Sequence, residues 1–185
     1  MVGLAELLLP ILLSAVLVFI ASSVIRMVLG YHAGDYQTVP SEDRVRAALR
    51  EAQIPPGEYA MPNADSMKEM GTAEFIEKQN EGPVALLTVM RTGPPSMVRM
   101  LLLWFVFLLA VSTVVAYVTG RALPPGSDYL HVFQIAGTVA FLAYAADSWS
   151  RSIWFGQKWS TSIKNTLDAF IYALLTGGAF AGFWP

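Results

Sequence analysis

This chain has 185 residues, and the side chains that could bind ions or transfer protons lie mostly beside its apolar segments. In each of two pairs of opposite charges the partners are four positions apart, so each pair can meet on one face of a helix. A histidine, a further aspartate and a tyrosine add groups that can take part in proton transfer. The candidate cluster comprises His32, Asp35, Asp147, Arg151, Lys164, Asp168 and Tyr172. We favour ion pairs that close a helix bundle, with a proton or solute path or an acid–base site as the alternatives.

Two smaller groups are also candidates. His131 and Gln134 are three positions apart and predict a hydrogen bond between helices. Sixteen positions separate His131 from Asp147, which is about 24 Å along a helix, so these two cannot act on the same substrate atom. Gly178 and Gly182 form a small-xxx-small motif, which permits close helix packing within the chain or between copies.

Several classes of site are not indicated. The chain has no cysteine and two histidines, which excludes disulfides, thiolate metal sites and cysteine nucleophiles. Gly-rich phosphate loops with a lysine, His-Glu-x-x-His and Gly-x-Ser-x-Gly do not occur. The net charge is −2 and no basic stripe is present, unlike nucleic-acid-binding proteins. We therefore expect no metal, no cofactor and no nucleic-acid partner, and a non-enzymatic protein is the favoured interpretation.

The composition indicates an integral membrane protein. Hydrophobic residues make up 55% of the chain, charged residues 14%, and the mean hydropathy is +0.49, whereas soluble domains carry roughly 25% charged residues. A spanning helix needs roughly 20 mostly apolar residues. Four segments meet this need, one within residues 1–30 and three at about 99–120, 129–149 and 164–184, the last only if it includes Asp168. They predict an all-α fold with a four-helix transmembrane bundle.

The segment between the first two predicted spans, residues 31–97, is polar and holds ten of the fourteen acidic residues. Residues 41–52 carry apolar side chains at helical spacing. Residues 58–61 and 83–90 are predicted to be extended and could pair as strands. We therefore predict a small mixed α/β insert, followed by a membrane region of residues 98–185 that holds the second to fourth helices.

The positions of Lys and Arg predict how the chain is oriented. Eleven of the twelve lie in or beside the first and third connections between the predicted spans, and Arg121 alone lies in the second. Lysine and arginine are enriched on the cytoplasmic side of membrane proteins. We therefore expect a multi-pass protein with a cytoplasmic insert and with both termini in the periplasm.

Parts of the sequence resemble a group of small uncharacterised bacterial inner-membrane proteins. The resemblance rests on Trp159 to Leu175, on Gly177 to Pro185, and on the shorter stretches Glu58 to Pro62 and Gly82 to Ala85. It implies a bacterial inner-membrane location. No activity is assigned to that group, so the resemblance implies no catalytic residues.

Three functions are compatible with these features. The favoured one is a protein that acts by assembly, as a homo-oligomer or as an accessory subunit or scaffold among other membrane subunits and lipids. The second is a small oligomeric transporter or channel for a proton or small solute, lined by Asp168, Tyr172 and Thr176. The third is a lipid-modifying enzyme at the cytoplasmic face, in which Asp147, Asp168 and His32 would have to converge.

Overall fold

The computed structural model describes all 185 residues, and most of them are helical. Seven helices and two strands follow one another along the chain. They are α1 (Leu8–Met27), α2 (Glu42–Glu51), β1 (Gly57–Met61), α3 (Met67–Met70), α4 (Ala73–Glu81), β2 (Ala85–Val89), α5 (Met97–Ala122), α6 (Tyr129–Trp154) and α7 (Trp159–Gly182). The chain divides into two compact units, a helical unit of residues 1–36 with 96–185 and a small unit of residues 37–95.

Three helices, α1, α5 and α6, are long and apolar enough to cross a membrane. The prediction of four transmembrane helices is therefore confirmed only in part. The fourth helix, α7, forms and is 24 residues long, but it is not among these candidate spans. Its first half carries Lys164, Asn165 and Asp168, and these polar side chains lower the hydropathy of the segment.

The helical unit is built around α7, which packs against α6 and α1, while α5 packs against α1 and α6. Leu7, Leu108, Val132 and Phe180 are fully buried in its core. Helices α6 and α7 approach most closely where Gly137 and Gly177 face each other. A Cβ atom built on Gly177 would lie 3.3 Å from Gly137 Cα and 2.9 Å from the carbonyl oxygen of Phe133.

One end of the helical unit brings both chain termini to the connection between α5 and α6. The Val2 amide donates to the carbonyl of Gly120 at 2.9 Å, and the Gly126 amide donates to the carbonyl of Pro185 at 2.7 Å. The Trp184 indole donates to the carbonyl of Pro124 at 3.0 Å. The C-terminal end of α7 therefore lies beside the C-terminal end of α5.

The small unit contains the expected mixture of short helices and strands. Strands β1 and β2 pair antiparallel, with Tyr59 opposite Leu87, which confirms the predicted pairing. Helix α4 is capped by the Thr72 hydroxyl, which accepts from the Phe75 amide at 3.3 Å, and Phe75 is the buried apolar side chain of this unit.

Candidate functional site

The candidate site begins in the turn that follows α1. Gly30 has a φ of +64°, a left-handed conformation that glycine adopts without steric cost. Two tight turns follow. In the first the Ala33 amide donates to the carbonyl of Gly30, and in the second the Asp35 amide donates to the carbonyl of His32, both at 3.0 Å. They hold the His32 and Asp35 side chains close together.

His32 lies between two carboxylates. Its Nδ1 is 2.6 Å from Asp35 Oδ2, and its Nε2 is 3.0 Å from Asp168 Oδ2 on α7. All three side chains are at least 92% buried. The His32 ring therefore links Asp35, in the turn after α1, to Asp168 on α7.

Basic and hydroxyl groups complete the cluster. Lys164 Nζ donates to Asp35 Oδ1 and to the carbonyl of Tyr31, both at 2.7 Å. The Tyr31 hydroxyl donates to Asp168 Oδ1, and Arg26 Nη2 lies 3.6 Å from Asp168 Oδ2. Each of the four carboxylate oxygens thus has a partner, so the cluster joins the turn after α1 firmly to α7.

Asp35 lies outside the membrane-spanning helices, and its partners control its ionisation. Burial acts to raise the pKa of Asp35. Hydrogen bonds and charge from Lys164 and His32 outweigh burial and lower this pKa from 3.8 to about 2. Asp35 is therefore ionised at any physiological pH.

A neutral hydrogen-bond chain links the charged cluster to α6. Arg26 Nη2 donates to Asn165 Oδ1 at 2.9 Å, and Asn165 Nδ2 donates to the Ser148 hydroxyl at 3.0 Å. One turn further, the Ser162 hydroxyl donates to the carbonyl of Ser148 at 2.7 Å. Helices α1, α6 and α7 are thus joined at one level.

The cluster forms one side of a cleft of about 1030 Å³. Its lining comes from the C-terminal ends of α1 and α6, the N-terminal ends of α5 and α7, and the two connecting turns. The charged lining residues are Arg26, Asp35, Asp147, Arg151, Lys158 and Asp168, and the apolar wall includes Met27, Met97, Leu101, Trp104 and Phe107. The cleft is therefore amphipathic, which suits a molecule with a polar head and an apolar body.

The structure brings together four of the predicted cluster residues, His32, Asp35, Lys164 and Asp168. Asp147 and Arg151 do not join them. Arg151 Nε donates to Asp147 Oδ2 at 2.7 Å, and both side chains are exposed, although they line the same cleft.

Tyr172 is buried, with its ring 5.5 Å from that of Tyr144. The hydroxyls of Tyr144 and of Thr176 on α7 are also buried.

The remaining candidates lie elsewhere. His131 is 67% exposed and pairs with Asp128, its Nδ1 being 3.6 Å from Asp128 Oδ2, and no hydrogen bond joins it to the exposed Gln134. A Cβ atom on Gly178 would lie 3.9 Å from the Tyr129 hydroxyl, and one on Gly182 would meet nothing within 4 Å. The close approach of α6 and α7 occurs at Gly177, which directly precedes Gly178.

Three members of the site were not among the sequence candidates, namely Arg26, Tyr31 and Asn165. A signal for two of them was present. Arg26 ends the first apolar segment, and Asn165 lies one turn before Asp168. Arg26, Asn165 and Asp168 therefore belong to the same predicted membrane face.

No family model matches the chain, and neither a curated protein nor a solved structure matches it. The resemblance to small bacterial inner-membrane proteins therefore stays an expectation.

Proposed function

We propose that the chain is a four-pass protein of the bacterial inner membrane, with the cleft on the cytoplasmic side and both termini in the periplasm. The bonds from Gly126 to Pro185 and from Gly120 to Val2 support this topology, because they put both termini at the same end of the helical unit. At about 1.5 Å per residue, the 24 residues of α7 measure about 36 Å, enough to cross a core of about 30 Å. The resemblance supports the bacterial assignment.

The function that the geometry supports best is the binding of a membrane lipid in the cleft by an accessory membrane protein. One observation carries this proposal, namely that a charged side and an apolar wall share one cleft at the helix ends. The apolar wall includes Phe107 and Met97, whose side chains are also exposed on α5. An acyl chain could therefore lie along α5 while its headgroup contacts the polar side.

The two alternatives receive less support. A lipid-modifying enzyme would need Asp147, Asp168 and His32 to converge, but only His32 and Asp168 meet, while Asp147 is exposed and pairs with Arg151. A transport path along α7 would have to pass the contact between Gly137 and Gly177, where the two backbones meet. Assembly with further copies or with other membrane subunits is compatible with lipid binding and stays part of the proposal.

Filling the cleft tests the lipid-binding proposal. Ala143 lines the cleft on α6, and Ala143→Trp should occupy the space of the bound lipid. We expect the wild-type protein, purified in mild detergent, to retain lipid in near-stoichiometric amount. The variant should retain several-fold less. Native mass spectrometry of the intact protein measures both.

Ala146→Trp is the matched control, because Ala146 is an exposed residue of the same helix and does not line the cleft. It should retain lipid as the wild type does. Absence of bound lipid from the wild type, or equal retention by both variants, would contradict the proposal. The same spectra report whether the protein is a monomer, an oligomer or a complex with another subunit.

A further inference from the structure

We infer that the cleft recognises a phosphate group carried by an amphiphile, and that Arg26 is its principal ligand. This inference rests on the proposed lipid-binding function and adds the chemical class of the headgroup. The buried carboxylates of the cleft already have hydrogen-bond partners, whereas some donors of Arg26 do not, and the inference follows from this difference.

The two buried carboxylates at the charged side of the cleft, Asp35 and Asp168, have a partner on each oxygen. Asp168 accepts from Tyr31 and pairs with His32, and Asp35 accepts from Lys164 and pairs with His32. Asp147 accepts from Arg151. A ligand that offers mainly donors, such as an ammonium headgroup, would have to displace an internal donor from Asp35 or Asp168, or bind at the exposed Asp147 beside Arg151.

Donor capacity is left over at Arg26. Its side chain is 50% exposed, and its internal contacts, to Asn165 and Asp168, both use Nη2. The Nε and Nη1 groups make no hydrogen bond within the chain. A guanidinium with free donors on two nitrogens matches the paired oxygens of a phosphate group.

The charge balance favours an anion. The lining itself carries three cations and three carboxylates, and Lys164, which is bonded to Asp35 behind the lining, adds one further positive charge. The cations are Arg26, Arg151, Lys158 and Lys164, and the anions are Asp35, Asp147 and Asp168. The unliganded site is therefore net positive.

The apolar wall decides between a lipid phosphate and a free phosphate ion. Leu101, Trp104 and Phe107 lie on one side of α5 within the cleft. A phosphate ion would make no contact with this wall, whereas an acyl chain would cover it. A phospholipid uses both sides of the cleft at once.

Lipids with matched acyl chains test the headgroup assignment. The purified full chain in detergent is titrated with dioleoylphosphatidylglycerol, with dioleoylglycerol, or with inorganic phosphate, and binding is read by native mass spectrometry. We expect phosphatidylglycerol to bind about tenfold more tightly than dioleoylglycerol, as one charge-assisted hydrogen-bond pair would give. Inorganic phosphate at millimolar concentration should not displace phosphatidylglycerol.

Arg26→Gln should remove this tenfold preference and leave dioleoylglycerol binding unchanged. Arg99→Gln is the matched control, since Arg99 is an exposed arginine near the start of α5 outside the cleft. Because Arg26 also faces the buried Asp168, Arg26→Lys serves as a second variant that keeps the charge and loses the paired donors. It should fold as the wild type does and bind phosphatidylglycerol several-fold more weakly.

The outcomes separate the inference from the proposal beneath it. Equal binding of the two lipids would overturn the phosphate assignment and leave the lipid cleft standing. Binding of neither lipid would overturn both. Displacement of phosphatidylglycerol by inorganic phosphate would overturn the assignment to a lipid headgroup, and loss of the preference in Arg99→Gln would overturn the role of Arg26.

Discussion

At the residue scale, the ionised Asp35 side chain stabilises the folded protein. Its pKa is lowered from 3.8 to about 2, so its contribution to the free energy of unfolding is present above pH 3.8 and is lost as the pH falls through about 2. The size of the shift corresponds to about 2 kcal/mol. Asp35→Asn should lower the unfolding free energy by this amount at pH 6 and by much less at pH 2. Reversible unfolding in mixed micelles at both pH values measures the difference.

Glu74→Gln is the control for a surface ion pair. Glu74 accepts from Lys78 at 2.8 Å, and both side chains are exposed. The hydrogen bond from Lys78 lowers the pKa of Glu74, but solvent screens such pairs. We therefore expect no measurable change in stability from Glu74→Gln at either pH. A pH-independent loss in Asp35→Asn would contradict the assignment of the effect to ionisation.

The sequence predicted part of this cluster, and physical reasons explain the limit. Asp168 and Lys164 were found because four-residue spacing places them on one helix face. The same spacing predicted that Asp147 would meet Arg151 and that Lys164 would meet Asp168. The first pair forms, whereas Lys164 bonds to Asp35 in the turn after α1 instead. Whether Asp147 and Arg151 join the cluster depends on the rotation of α6 about its axis. Rotation is set by packing against α7, which spacing along one helix does not report.

At the element scale, Gly177 determines how closely α6 and α7 pack. A Cβ atom there would lie 2.9 Å from a backbone oxygen of α6, so Gly177→Ala must push the helices apart. Overpacking of this kind costs about 1–3 kcal/mol, more than the roughly 1 kcal/mol that alanine adds in helix propensity. We expect a lower melting temperature in detergent, measured by circular dichroism.

Gly178→Ala is the matched control on the same helix. Its Cβ atom would make only an ordinary contact, 3.9 Å from the Tyr129 hydroxyl, while the gain in helix propensity is the same. We expect its melting temperature to equal or exceed that of the wild type. If Gly178→Ala were the more destabilised of the two, Gly178 rather than Gly177 would be the packing residue.

The small-xxx-small motif indicated the right helix and the right kind of contact. It did not indicate the residue, because consecutive glycines point about 100° apart around a helix, and only the partner helix determines which one is covered. The motif therefore predicts a small-residue face, and the position of Gly137 on α6 selects Gly177.

At the scale of the whole molecule, the apolar segments predicted the long helices because about 20 consecutive apolar residues leave little choice in a bilayer. The observed ends of α6 and α7 lie several residues beyond the apolar segments, at Trp154 and Trp159. These extensions carry part of the polar lining of the cleft, namely Arg151 and Thr161. Hydropathy does not predict them, because here the backbone stays helical after the side chains have become polar.

Cysteine labelling tests the four-pass topology on a clean background, because the chain has no cysteine of its own. Asp128→Cys reports on the connection between α5 and α6, where Asp128 is 84% exposed. Pro185→Cys reports on the C-terminus, and Glu51→Cys on the insert. In spheroplasts of a bacterial host, a membrane-impermeant maleimide should label the first two and should label Glu51→Cys only after detergent is added.

If α7 stays on the cytoplasmic side, as the three candidate spans alone would allow, then Pro185→Cys will also need detergent. That result would contradict the four-pass proposal, and it would require breaking the bond between Gly126 and Pro185.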